Sequence, residues 1–287
     1  MVTFPRADGR ILSYRDRGSG PPIVLLPGGP GLDPETYFAS TDLLGFCQIL
    51  FCPRGTGESD PPASPDGYRM AANVDDVEDL RRHLDLDRLR LCGSSHGASI
   101  ALAYASAYPD RVERMVLTAG PARMDGYFAQ AVAAARERFR AAASDGDERL
   151  NAGDAAFALL RTATSDDVRR AALKTMMSRY VARLGAEEAE FLSQLSAAPM
   201  NFAAAGPMGA EMASGLNLLA RASAIVAPTL VLAGELDVNV PAEHMREVAA
   251  AVPGARLVQL AGVGHFSHVE AHDQWIQLVG DFFRSKG

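Results

Sequence analysis

Close cysteine pairs are missing from this sequence: Cys47, Cys52 and Cys92 form no CxxC or comparable spacing, so no metal site is expected. Odd in number, and with two of them in apolar strand-like runs, they read as buried thiols packing as small hydrophobes. Long apolar runs are missing too. None approaches the roughly 20 residues that span a bilayer, and residues 1–10 lack the apolar centre of a signal peptide, which predicts a cytoplasmic protein with no membrane partner. Clusters of Lys and Arg are absent and the net charge is -7, which speaks against nucleic acid or an anionic membrane surface as a partner.

What is present is 48% apolar and 22% charged residues, without a low-complexity tract, in a chain of 287 residues. That composition buries a sizeable core, and the length suits one large domain carrying an insertion. Short apolar runs at 22–26, 47–52, 89–92, 115–118, 229–233 and 257–260 read as buried strands, and helical patterns at 73–84, 98–108 and 243–251 lie between several of them. Residues 3–6 and 11–15 look like a leading antiparallel hairpin across Gly9. The alternation predicts an α/β fold with a mostly parallel sheet. It stops after the sixth strand, at Thr118, and residues 121–224 show helical periodicity only. The core is therefore assigned to 1–120 and 225–287, and a helical cap subdomain to 121–224. Within the cap, Leu173, Met176, Met177, Tyr180, Val181 and Leu184 share a helical face behind Ser165, a cap residue followed by Asp166 and Asp167. This stripe is expected to pack onto the core, and an insertion at the carboxyl ends of the strands would roof the ligand crevice of an open α/β sheet.

The strongest chemical signal is Gly93-Ser94-Ser95-His96-Gly97, a GxSxG pattern between a strand and a helix. A nucleophile elbow needs a strand to turn sharply into a helix, and the flanking glycines let the backbone pass close while the serine takes strained angles. Ser95 is the candidate nucleophile; Ser94 is assigned no role. A serine hydroxyl needs an adjacent base, itself held in one tautomer by a carboxylate. Asp237 follows the strand at 229–233 and His265 the strand at 257–260, giving the order Ser, Asp, His. Glu235 is the rival acid, and Glu270 is expected to support the His265 loop or cap the final helix. His83, His244 and His272 lie in helical patterns and read as surface groups. Donors to an oxyanion are expected from the backbone N–H of His96 and from Gly29 in the loop Pro27-Gly28-Gly29-Pro30-Gly31. Gly28, His268 and Glu211 are taken as possible pocket residues.

These motifs resemble the α/β-hydrolase superfamily, and more narrowly its proline iminopeptidase group. The resemblance rests on Gly28-Gly29-Pro30-Gly31, Arg54-Gly55-Thr56-Gly57-Glu58-Ser59, the segment 75–84 leading into the elbow, and Tyr108-Pro109 with Val112 beyond. It covers about residues 10–120 and 225–285, and related esterases, lactonases and C–C bond hydrolases share these loops. Family members usually have His at the position of Pro27, Asp at that of Cys52 and often Trp or Met at that of His96. The missing histidine ordinarily braces the oxyanion loop, so Pro27 is expected to fix it by its own rigidity, and Cys52 removes a polar partner. The resemblance also implies cap carboxylates holding a substrate amine, for which Glu187, Glu188, Glu190 and Glu211 are available.

The reading that follows is a serine hydrolase forming an acyl-enzyme on a small ester, lactone, thioester or N-terminal peptide bond, with no metal or cofactor. Two other readings keep the fold: a non-hydrolytic cyclase or lyase of a biosynthetic pathway, and a non-catalytic protein binding a small ligand.

Overall fold

The computed structural model describes residues 1–6 and 8–285; Lys286 and Gly287, the end of the second core segment, lie outside the described residues. Its strands are β1 (Val2–Pro5), β2 (Ile11–Gly18), β3 (Pro22–Leu26), β4 (Cys47–Cys52), β5 (Leu89–Ser94), β6 (Val112–Thr118), β7 (Thr229–Gly234) and β8 (Arg256–Leu260). They form one sheet in the order β1-β2-β4-β3-β5-β6-β7-β8. β2 pairs antiparallel with β1 and β4, and every pair from β3 onward is parallel. The leading hairpin turns at Gly9, whose φ of 84° favours glycine.

The central strands read as continuous apolar runs because both faces are covered. Val24 and Leu26 point into one layer, Ile23 and Leu25 into the other. The first layer holds helices α2 (Met70–His83), α3 (His96–Ala107) and α9 (Ala242–Ala251), through Val77, Ile100 and Met245. The second holds α1 (Pro34–Tyr37) and α11 (His272–Arg284), through Tyr37, Phe38, Trp275 and Phe283. Between β6 and β7 lie α4 (Gly126–Ala142), α5 (Gly146–Leu160), α6 (Asp166–Met177), α7 (Ala186–Ala197) and α8 (Ala205–Ala213). A short α10 (Ser267–Glu270) precedes α11. Among the described residues no helix is long and apolar enough to cross a membrane.

The apolar stripe of the insertion does pack inward: Leu173, Met176, Met177 and Val181 join the second layer. Leu184, expected on the same face, is exposed, because the helix ends at Met177 and the chain turns away. Ser165 stands at the N-cap of α6 but its side chain accepts no capping bond. Cys52 and Cys92 are buried as expected, whereas Cys47 at the start of β4 is half-buried. His83 is exposed; His244 is not, and corrects its reading as a surface group. Its Nε2 accepts the N–H of Ala122 at 2.9 Å, so α9 meets the start of the insertion through this ring.

The register levels the carboxyl ends of the strands. Ser94 pairs with Thr118, Thr118 with Leu232, and Gly234 with Leu260. Residues 95, 237 and 265 therefore leave the sheet from the same edge.

Candidate active site

β5 ends at Ser94 and α3 begins at His96, which leaves Ser95 alone to turn the chain. It does so at φ 52° and ψ −120°, a conformation that side-chain-bearing residues rarely adopt. Strain of this kind persists only where the surroundings over-determine it. Here the N–H of Ser95 donates to the carbonyl of Thr118 at 2.8 Å. The flanking glycines allow the close packing: a Cβ on Gly93 would run into the carbonyl of Gly97, and one on Gly97 into that of Leu26 and, at 2.7 Å, that of Pro27. The second contact sets the N-terminus of α3 against the 27–31 loop. His96 holds the first helical position, where a backbone N–H has no partner within its helix, and Gly29 takes φ 126° on the exposed side of the 27–31 loop.

Asp237 is fully buried, and both its oxygens are engaged. Oδ1 accepts the N–H groups of Asn239 at 2.8 Å and Val240 at 2.9 Å, while Oδ2 meets Nδ1 of His265 at 2.7 Å. A carboxylate oxygen facing a ring nitrogen accepts, so Nδ1 is the donor of this bond, the arrangement that leaves Nε2 of a neutral imidazole as the acceptor. Glu235 takes no part in this contact; its Oε2 accepts the N–H of Gly262 at 2.9 Å at the exposed edge of the loop. The structure thus joins Asp237 and His265 directly and puts Ser95 at the same edge of the sheet, at the end of β5. Among the described residues no hydrogen bond joins Ser95 to His265, a link that commonly tightens only around a bound substrate.

The backbone on either side of His265 is held from two directions. Glu270 accepts three N–H groups: Ala182 at 2.7 Å and Gly264 at 2.9 Å on Oε2, and Phe266 at 3.0 Å on Oε1. The N–H of His265 donates to the carbonyl of Tyr180 at 2.6 Å. From the far side, the buried guanidinium of Arg149 donates to the carbonyls of Ser178, Val181 and Ala182. Of the two roles expected of Glu270, support of the His265 loop is the one the contacts carry; α11 has Ala271 at its cap.

Burial pushes the Glu270 carboxyl up to about 7, against the lowering effect of its three N–H donors. A folded-state value above the ordinary carboxylate range means that the fold binds a proton the unfolded chain has released. Stability from this group is present at low pH and is lost as pH rises from the ordinary carboxylate value to about 7. His96 and His268, each held down to about 4 by burial, act in the opposite sense as pH falls. The comparison with Glu270→Gln isolates Glu270. In denaturant unfolding at pH 5 and pH 8, the variant is expected to gain stability relative to the native protein on going to pH 8. A pH-independent difference would refute this assignment.

The expected pocket residues occupy other positions. Glu211 corrects its reading: its Oε2 accepts the N–H of Met70 at 2.7 Å and so caps α2 from the insertion. His268 is buried, with Nε2 on the carbonyl of Tyr37 at 2.9 Å, and Gly28 lies under the Tyr37 ring. Both are braces within the core, since Tyr37 fills the space between them. Ser94, given no role from sequence, bonds the Tyr37 hydroxyl at 2.8 Å. Sequence reasoning also missed Asn201, whose N–H donates to the carbonyl of Gly31 at 2.9 Å and ties the insertion to the 27–31 loop. Nothing in its local sequence signals that contact.

A mostly parallel sheet with an elbow serine after β5 and a joined acid and histidine after β7 and β8 defines the class: α/β enzymes whose chemistry sits at the carboxyl edge of the strands. The chain belongs to the alpha/beta hydrolase fold family, whose model matches residues 21–272. It is 29% identical to a 2-hydroxy-6-oxononadienedioate/2-hydroxy-6-oxononatrienedioate hydrolase of Paraburkholderia xenovorans, over 98% of this chain and 94% of that protein. A probable proline iminopeptidase of Leptolyngbya boryana is 39% identical over 107 residues, 36% of this chain and 33% of that protein. Among solved structures, the enol-lactonase of Burkholderia xenovorans superposes with a TM-score of 0.64 at 26% identity, covering 96% of this chain and 97% of that one.

Proposed function

We propose that the chain is a serine hydrolase of small esters or lactones, with Ser95 as nucleophile, His265 as base and Asp237 as the acid that orients it. The observation that carries this reading is the 2.7 Å contact of Asp237 with Nδ1 of His265, on the same edge of the sheet as the strained elbow at Ser95. In the reaction, the Ser95 hydroxyl oxygen bonds to the substrate carbonyl carbon while its proton passes to Nε2 of His265. The oxyanion is met by the N–H groups of Gly29 and His96, each such donor contributing about 3 kcal/mol. Collapse breaks the bond to the leaving oxygen, which takes the proton from His265. Water, deprotonated by the same ring, then releases the acid and restores Ser95. These steps need no metal or cofactor. Residues 121–224 act as a cap over the site, tied to it through Tyr180, Ala182 and Asn201.

Two observations favour an ester or lactone over an N-terminal peptide bond. The likeness to a proline iminopeptidase is confined to 36% of the chain, and Glu211, available for a substrate amine, is engaged by Met70. Carbon–carbon bond hydrolysis is the second reading, supported by the likeness to the Paraburkholderia hydrolase along 98% of the chain. Release rates on short-chain aryl esters, a lactone, a 2-hydroxy-6-oxo-dienedioate and a proline arylamide test these readings. Ester or lactone turnover is the expected result; preference for the dienedioate would establish the second reading, and preference for the arylamide or silence throughout would overturn both.

A further inference from the structure

Three loops must hold fixed relative positions for this chemistry: the elbow at 93–97, the oxyanion loop at 27–31 and the base loop at 262–268. One side chain outside all three touches each of them. Tyr37 ends α1, a single turn opened by Pro34 behind the Asp33 cap, whose side chain accepts the N–H and hydroxyl of Thr36, both at 2.8 Å. The Tyr37 hydroxyl meets Oγ of Ser94, immediately before the nucleophile, at 2.8 Å. Its ring lies flush on Gly28, where a Cβ would come within 2.7 to 2.9 Å of the Tyr37 ring atoms Cε2 and Cζ and its hydroxyl oxygen. Its carbonyl accepts from Nε2 of His268 at 2.9 Å, and the two rings stack with centroids 5.0 Å apart.

We infer that Tyr37 is a positioning residue that sets the nucleophile elbow, the oxyanion loop and the base loop relative to one another, and so takes over the brace that Pro27 was expected to supply alone. This rests on the proposed role of Ser95. Pro27 is rigid in φ but carries no side-chain donor, so the loop's lateral position is set by what Gly28 packs against. A glycine at 28 is what lets the ring approach. Burial keeps the Tyr37 phenol far above its ordinary range and holds His268 down to about 4, so both groups stay neutral and both bonds persist across the working pH range. A neutral imidazole has one N–H, and Nε2 spends it on the Tyr37 carbonyl.

The test separates positioning from mere packing by removing the hydroxyl bond while keeping the ring on Gly28. Tyr37→Phe, Ser94→Ala and the double variant are compared with the native protein for the second-order rate of Ser95 phosphonylation by a fluorophosphonate, for kcat and KM on the best substrate of the panel, and for Tm. Each single variant is expected to react about 3- to 10-fold more slowly, the effect of one neutral buried hydrogen bond, with kcat falling and KM little changed. The double variant is expected to match the singles, since all three lose the same bond. Unchanged phosphonylation rates with a lowered Tm, or effects that multiply in the double variant, would overturn the inference. Failure of the native protein to label at Ser95 would instead overturn the serine-hydrolase reading, and this inference with it.

Discussion

Ser95→Ala is expected to lower turnover on the preferred substrate about a million-fold, the loss seen when a serine nucleophile is removed from an intact triad, while leaving Tm unchanged. The unchanged Tm follows from the contacts of the elbow. The hydrogen bonds described for Ser95 are made by its backbone, whose N–H donates to Thr118 and whose carbonyl accepts from Ala98 and Ser99, and all three survive in alanine. No buried partner is left unsatisfied, so the usual penalty for deleting a polar group does not arise. Ser95→Gly extends the argument. At φ 52° and ψ −120° any Cβ is strained, and its removal is expected to raise stability by about 1 kcal/mol while abolishing turnover. Denaturant unfolding beside the esterase or lactonase assay checks both halves. A nucleophile variant that keeps full activity would refute the mechanism, and a glycine variant less stable than alanine would refute the claim of strain.

The parts legible in the sequence are those that local chemistry dictates. The central strands were readable because burial on both faces leaves no polar alternation, as in β3 and β7. The elbow was readable because Gly93 and Gly97 are forced by contacts with Ala98, Leu26 and Pro27, so the residue types are set by the turn itself. Asp237 and His265 were readable from their places after strands. What escaped depends on contacts between distant segments. α2 begins at Met70, before its apolar periodicity at 73, because Glu211 from the insertion satisfies its first N–H. His244 lies in a pattern that reads as surface but is buried by Ala122 and Phe128, and Ser94 acquires a partner only because α1 brings Tyr37 across. Charge and histidine positions were misjudged for the same reason: solvation of a helix face is decided by what packs on it.

Replacing Asp237 with Asn is expected to lower kcat about ten-thousand-fold, through the tautomer of His265 and not through loss of the contact. The oxygen that accepts from Asn239 and Val240 must remain an oxygen, since two backbone N–H groups point at it. Asparagine is therefore oriented with its carbonyl toward those amides and its NH2 toward Nδ1 of His265. Facing a donor, Nδ1 becomes the acceptor, the ring's proton moves to Nε2, and the nitrogen that should accept the Ser95 proton already carries one. The fold tolerates this, because every hydrogen bond is retained with its direction reversed at one atom. Nitrogen NMR of the imidazole is expected to show protonated Nδ1 in the native protein and protonated Nε2 in the variant, alongside the fall in kcat. Glu235→Gln is the control, since its carboxylate reaches only the N–H of Gly262, and its turnover is expected to stay within about threefold of native. If Glu235→Gln were the damaging change and Asp237→Asn the mild one, the acid would be Glu235, and the buried Asp237–His265 contact would have to be read as structural.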